Sequence, residues 1–201
     1  MTKILLASGN PGKLVEMKAL LSGIDLEFVS LDQAGIRDIV EETGVTYAEN
    51  AMLKARHYSQ QAGLLAIADD SGLEVDALGG LPGINSHRFT GNVDASDADR
   101  RATLLRRLEG KPRPWTAHFH CSVAIATPDG EMYLADGDCP GEVIPEERGT
   151  NGFGYDAIFW MPELKRTMAE LTDEEKNRAS HRARAVANAR LVLTKLISPS
   201  R

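Results

Sequence analysis

The chain has 201 residues, 42% of them apolar and 26% charged, a balance that excludes disorder, collagen and coiled-coil arrays. Its net charge of −6, from 29 acidic and 23 basic residues, excludes the broad positive footprint that a polymeric nucleic acid partner requires. No stretch approaches the roughly 18 apolar residues of a membrane span, and the apolar N-terminal run is too short for a secretory signal. Two cysteines, Cys121 and Cys139, make no disulfide framework and read as reduced thiols of a cytoplasmic protein. A globular chain of this length hides about 70% of its unfolded surface and needs no staple to fold. Residues 1–201 therefore read as a single domain, pinched into two lobes.

In chain order, Lys3 to Ala7 is a short apolar run ended by a Ser-Gly-Asn-Pro-Gly stretch. Leu14, Met17, Leu20 and Leu21 then recur at helical spacing, so this segment reads as strand, tight loop, helix. Leu26 to Ser30 is a second strand. An irregular, partly acidic stretch leads to Gly44, after which Thr46 and Glu49 form a capping-box pattern. The helix they open puts Ala48, Ala51, Ala55 and Tyr58 on one face. Leu65 to Ala68 is a third buried strand, running into Asp69-Asp70-Ser71-Gly72. Alternation of strand and helix predicts a sheet covered by helices, with functional groups at strand ends.

Beyond a glycine-rich segment, Gly79 to Gly83, a polar helix spans Ser96 to Leu108, and Lys111-Pro112-Arg113-Pro114 breaks the chain. Phe119, Cys121, Val123 and Ile125 alternate with polar or small residues from Ala117 on. A turn at Pro128-Asp129-Gly130 then predicts an antiparallel hairpin with a strand from Met132 to Ala135. Phe153 to Trp160 reads as a last strand. Thr172 and Glu175 form a second capping box before a C-terminal helical region to Ile197, in one piece or broken near Ser180. The predicted fold is α/β: an elongated mixed sheet with flanking helices, forming two lobes around a central cleft.

Three constellations carry chemistry. Ser8-Gly9-Asn10-Pro11-Gly12-Lys13 sits between strand and helix, where Asn10 caps and Pro11 occupies the first helical position, lacking a donor that would be unsatisfied there anyway. Outward helix amides beside Lys13 make an anion site. The spacing is not that of a P-loop, because Leu14 stands where a magnesium-binding Ser or Thr belongs. Asp69 and Asp70 place two carboxylates at the end of an apolar strand, only one facing the cleft. Glu41 and Glu42 in the preceding loop supply further oxygen ligands for a hard divalent cation. Toward the C-terminus, Phe153-Gly154-Tyr155-Asp156, Lys176, His181 and Arg182 offer a stacking face, an acceptor and donors suited to a purine. His118 and His120 share a strand face, but without further ligands nearby they make a poor zinc site.

These blocks, with Glu41-Glu42-Thr43-Gly44, Glu49-Asn50-Ala51 and Lys54, Gly79 to Gly83, and Glu175-Lys176 before Ser180-His181-Arg182, resemble the inosine triphosphate pyrophosphatase family in order and over nearly the whole chain. The resemblance implies hydrolysis of dITP, ITP and XTP to the monophosphate and pyrophosphate. It implies Asp70 as general base, and Mg²⁺ held by Asp70 and one glutamate of the pair, Glu41 by preference and Glu42 otherwise. Ser8, Gly9, Asn10, Pro11, Gly12, Lys13 and Lys54 hold the phosphates, Ser71 touches the substrate and Phe153 stacks on the base. Gly154, Tyr155, Asp156, Lys176, His181 and Arg182 complete the base and sugar site, with donors from Arg182 or the backbone aimed at the 6-oxo group. A homodimer is also implied. Alternatives are a Maf-type pyrophosphatase for other modified nucleotides and a non-catalytic nucleotide-binding module; an Asp-Ser-Gly protease dimer conflicts with the α/β pattern.

Overall fold

The computed structural model describes residues 2–92 and 94–197. Along the chain lie β1 (Thr2–Leu6), α1 (Pro11–Leu20), β2 (Leu26–Ser30), α2 (Tyr47–Ala62), β3 (Leu65–Val75) and α3 (Asp97–Leu108). There follow β4 (Trp115–Ala126), β5 (Met132–Val143), β6 (Phe159–Met161), β7 (Arg166–Thr167), α4 (Asp173–Ala179) and α5 (His181–Ile197). The strands form one mixed sheet in the order β2-β1-β3-β4-β5-β6-β7. β1 runs parallel to β2 and β3, whereas β6 is antiparallel to both of its neighbours.

Two compact units result. The first comprises described residues up to Asp70, Cys121–Gly137 and those from Arg182 onward, and the second comprises Ser71–His120 and Asp138–His181. In the first unit, side chains alternate across the strands. Ile4, Leu6, Ile67, Cys121, Val123 and Ile125 face Met17 of α1 and Ala185, Val186, Ala189 and Leu193 of α5. Leu5, Ala7, Ala66, Ala68, Ala124 and Ala126 face Ala51, Ala55 and Tyr58 of α2. The alanines on that second face leave room for close packing of the helix. In the other unit, Leu73, Val75, Ala117, Phe119 and Val143 pack with Leu104 and Leu108 of α3 and with Phe159.

The helix starts follow their local chemistry. Asn10 accepts the Lys13 amide at 3.1 Å with Pro11 at the first position of α1. Thr46 accepts the Glu49 amide, but the Glu49 carboxylate reaches the Val45 amide instead of closing the box on Thr46. Both halves of the box are present at Thr172 and Glu175 of α4. The C-terminal region is two helices, separated by Ser180 in an extended conformation (φ −71°, ψ 161°).

Two expectations are corrected. The third strand does not end at Ala68: β3 continues to Val75, so Asp69 and Asp70 lie in mid-strand and not at a strand end. Buried cations from other elements compensate their charge and let the strand continue through them. Nor is Phe153 to Trp160 a strand, and Phe159–Met161 is not the last one. Gly154 adopts a φ of 63° and Gly152, just before the segment, a φ of 75°, a left-handed backbone outside the range of a regular strand. Asp156 also accepts the Phe153 amide at 2.9 Å, closing a turn.

Candidate active site

The alternation of β3 gives its adjacent carboxylates separate surroundings. Asp69 is 2% exposed and lies 3.0 Å from the Lys13 ammonium. Both Nε and Nη2 of Arg182 donate to its Oδ2 at 3.1 Å. Burial disfavours the ionised Asp69, but Lys13 and Arg182 outweigh it and hold the carboxyl well below the usual range. The first turn of α1 thus carries Lys13 onto the centre of β3, while α5 brings Arg182 to the same carboxylate.

Asp70, 7% exposed, belongs to the face of α2. The Asn50 amide donates to its Oδ2 at 3.1 Å, and the Lys54 ammonium lies 3.5 Å from its Oδ1. Lys54 also donates to Glu42 at 2.6 Å. Burial pushes the Asp70 carboxyl up, against the pull of Lys54 and Lys13 and reinforced by the Glu42 charge. Lys54 is raised: burial disfavours its ammonium, but Asp70 and Glu42 prevail. Two neighbouring carboxyls driven in opposite directions divide the labour, one a fixed counter-ion and the other the more basic group.

In the second unit the turn around Phe153 is braced from two helices. Lys176 of α4 is 4% exposed, donates to Asp156 Oδ2 at 2.7 Å, and places its ammonium 4.7 Å from the Phe153 ring centroid. A Cβ on Gly152 would stand 2.1 Å from Asp156 Oδ2 and 3.1 Å from Lys176 Nζ, so only glycine fits. From α3, Asp97 accepts the Gly154 amide at 2.7 Å and Arg101 donates to the Gly154 carbonyl at 2.9 Å.

Of the residues expected from sequence, Lys13, Lys54 and Asp70 thus converge within the first unit, as do Phe153, Gly154, Asp156 and Lys176 within the second. The Ser8 hydroxyl accepts the Asn10 amide at 3.2 Å, which shapes the loop spanning Gly9 to Gly12. Ser71 is half-buried in the strand after Asp70. His181 stacks on Phe119 at 4.6 Å. Two further expected residues have partners within the chain. The Tyr155 hydroxyl donates to the Ser86 carbonyl at 2.9 Å and so anchors the turn. Arg182, 1% exposed, pairs its guanidinium with Asp69 and Glu16.

The acidic loop divides in the same way: Glu42 reaches Lys54, whereas Glu41 is exposed and enters none of these contacts. A hard cation takes oxygen ligands, and Mg²⁺ is commonly bound by one or two carboxylates plus substrate phosphates. Asp70 and a carboxylate of this loop fit that need, although no group of three or more metal-ligating side chains occurs among the described residues.

Sequence reasoning named Asn50 only within a family block and gave it no role, and it missed Glu16, Asp97 and Arg101. For Asn50 a signal existed: it is a polar residue beside Ala51 on the apolar stripe of α2, one turn before Lys54. The others act through partners far apart in sequence, Glu16 with Arg182 across 166 positions.

The chain is thus an α/β protein with a buried, lysine-matched carboxylate pair on an interior strand of its first unit and a braced aromatic turn in its second. The Ham1 family model matches residues 4–191, and the chain belongs to that family. It is 45% identical over 195 residues to the dITP/XTP pyrophosphatase of Desulforamulus reducens, covering 96% of each chain. Identity is 48% over 189 residues to the enzyme of that name from Yersinia pseudotuberculosis, covering 92% of this chain and 95% of the other. The solved structure of a HAM1 protein from Coxiella burnetii aligns with a TM-score of 0.88 at 43% identity, over 97% of this chain and 100% of that one.

Proposed function

We propose that the protein hydrolyses deaminated purine nucleoside triphosphates (dITP, ITP and XTP) to the monophosphate and pyrophosphate, clearing them from the nucleotide pool. The observation that carries this reading is the divided carboxylate pair on β3, matched by Lys13 and Lys54, in a chain closely related to proteins named dITP/XTP pyrophosphatase. Lys13 and Lys54, with the loop from Ser8 to Gly12, hold the polyphosphate. Asp70 is the general base that takes a proton from the attacking water. Asp69 stays ionised and keeps Lys13 and Arg182 in place.

Mg²⁺, when bound, takes up charge on the phosphoryl oxygens, and Asp70 with Glu41 or Glu42 would hold it. Because Glu42 is engaged with Lys54, Glu41 is the preferred partner; Glu41→Gln is expected to weaken metal dependence more than Glu42→Gln. Ser71 touches the substrate. Phe153 stacks on the base with the ring face opposite Lys176, while Asp156 and Lys176 fix the turn that carries it. A 6-oxo purine is selected by donors that would confront the 6-amino group of adenine, at about 1–3 kcal/mol for each mispaired polar group. With Arg182 committed elsewhere, backbone amides are the better source of these donors. The protein acts in the cytoplasm as a homodimer; sedimentation of the purified protein tests the dimer.

A panel of dITP, ITP, XTP, dATP, dTTP and UTP with Mg²⁺, assayed for pyrophosphate, tests the reading. Turnover is expected of the first three. A preference for dTTP or UTP would favour a Maf-type activity, and binding of dITP without any turnover would leave a non-catalytic module.

A further inference from the structure

On α2, Asn50 and Lys54 are one turn apart and therefore share a face. Each contacts one oxygen of Asp70, Asn50 through Oδ2 and Lys54 through Oδ1. Each also holds the loop that precedes the helix: Lys54 binds the Glu42 carboxylate, and the Asn50 side-chain carbonyl accepts the Gly44 amide at 2.8 Å. Asn50 is 0% exposed, so neither of its bonds can be replaced by bulk water without opening the core. The fit is close on the loop side, since a Cβ on Gly44 would stand 2.6 Å from Asn50 Oδ1. The side chain spans two separate chain segments with one amide, its donor on the β3 carboxylate and its acceptor on the glutamate-bearing loop.

We propose that Asn50 is a positioning residue for the reaction, fixing the direction of the Asp70 carboxylate and the place of the Glu41-Glu42 loop relative to it. This rests on the reading of Asp70 as the general base. A carboxylate held by a single ammonium remains free to rotate about its side-chain torsion; a second bond on the other oxygen, from a neutral amide with no freedom of its own, removes that rotation. Supporting partners of this kind typically affect activity by about 10–100-fold when removed.

The test compares wild type, Asn50→Asp, Asn50→Leu and Ser59→Ala. Asn50→Asp keeps the acceptor for Gly44 but replaces the amide donor by a second carboxyl that must share a proton with Asp70, whereas Asn50→Leu loses both bonds and adds no charge. Ser59 lies on the same helix, and its hydroxyl contacts the Leu64 and Ala126 carbonyls; Ser59→Ala reports what loosening α2 alone does. With dITP as substrate, both Asn50 variants should lose about tenfold or more in kcat with KM changed less than about threefold. Ser59→Ala should lower Tm while keeping kcat within about twofold of wild type. Hydrogen exchange on the free protein adds a reading independent of turnover: Asn50→Leu should speed exchange of the Gly44 amide, and Asn50→Asp should leave it protected. If Asn50→Leu does not fold, Asn50→Ser takes its place with the same readouts.

A folded variant that lacks the Asn50 donor and keeps wild-type kcat overturns the assignment, as does a kcat loss in Ser59→Ala equal to that of the Asn50 variants. Wild-type protein that makes no pyrophosphate from dITP sinks the activity reading and this inference together; active wild type with unimpaired Asn50 variants sinks this inference alone.

Discussion

The charged cluster on β3 and the aromatic turn at Phe153 are built in opposite ways. The turn is local: Gly152, Gly154 and Asp156 shape it within five residues, and α3 and α4 only brace it. The cluster is assembled from chain segments far apart, with Arg182 reaching Asp69 across 113 positions and Asn50 reaching Asp70 across 20. The contrast teaches that recognition of a flat apolar ring needs only a shaped surface. Buried charges, by contrast, must be matched at once from several elements, because an unmatched one costs several kcal/mol.

If the cluster does the chemistry and the turn the binding, substitutions in each should separate kcat from KM. The largest effect is expected at Asp70. Asp70→Asn should lower kcat by about 10²–10⁴-fold while dITP still binds, and steady-state kinetics with a binding titration would check both halves. Retained turnover would end the division of labour.

Asp69→Asn comes next, and its effect is on stability. Removing the carboxylate leaves Lys13 without its buried counter-ion and Arg182 with Glu16 alone, at about 3–5 kcal/mol in denaturant unfolding. The pH dependence has a definite sign. Because the folded Asp69 holds its proton less tightly than the unfolded one, its contribution is complete above the unfolded value of 3.8. It is lost as pH falls further, toward the folded value. Wild type should therefore lose stability below about pH 4 more steeply than Asp69→Asn.

The smallest of the three is Phe153→Ala. It should cost about 1–3 kcal/mol of base stacking, seen as a higher KM for dITP with kcat nearly unchanged. A kcat loss matching that of Asp70→Asn would mean that the turn also positions the reacting end.

The same contrast explains how much the sequence reveals. The loop from Ser8 to Lys13, the caps at Asn10 and Thr172, and β2 from Leu26 to Ser30 are local features, and local rules place them correctly. The length of β3 is not local. Two aspartates after an apolar run read as a strand end unless Lys13, Lys54 and Arg182 are known to neutralise them, and that depends on the folded arrangement. Phe153 to Trp160 misleads for a different reason: its aromatic and β-branched residues favour a strand, but the left-handed glycines overrule them. The hydrogen bond from Tyr155 to Ser86 and the pairing of Arg182 with Asp69 and Glu16 lie beyond any pattern in the sequence, because the partners are far apart along the chain.

The most direct measurement is the identity of the products when the wild-type protein meets dITP and Mg²⁺. The account predicts dIMP and pyrophosphate in equal amounts; dIDP and orthophosphate would contradict it.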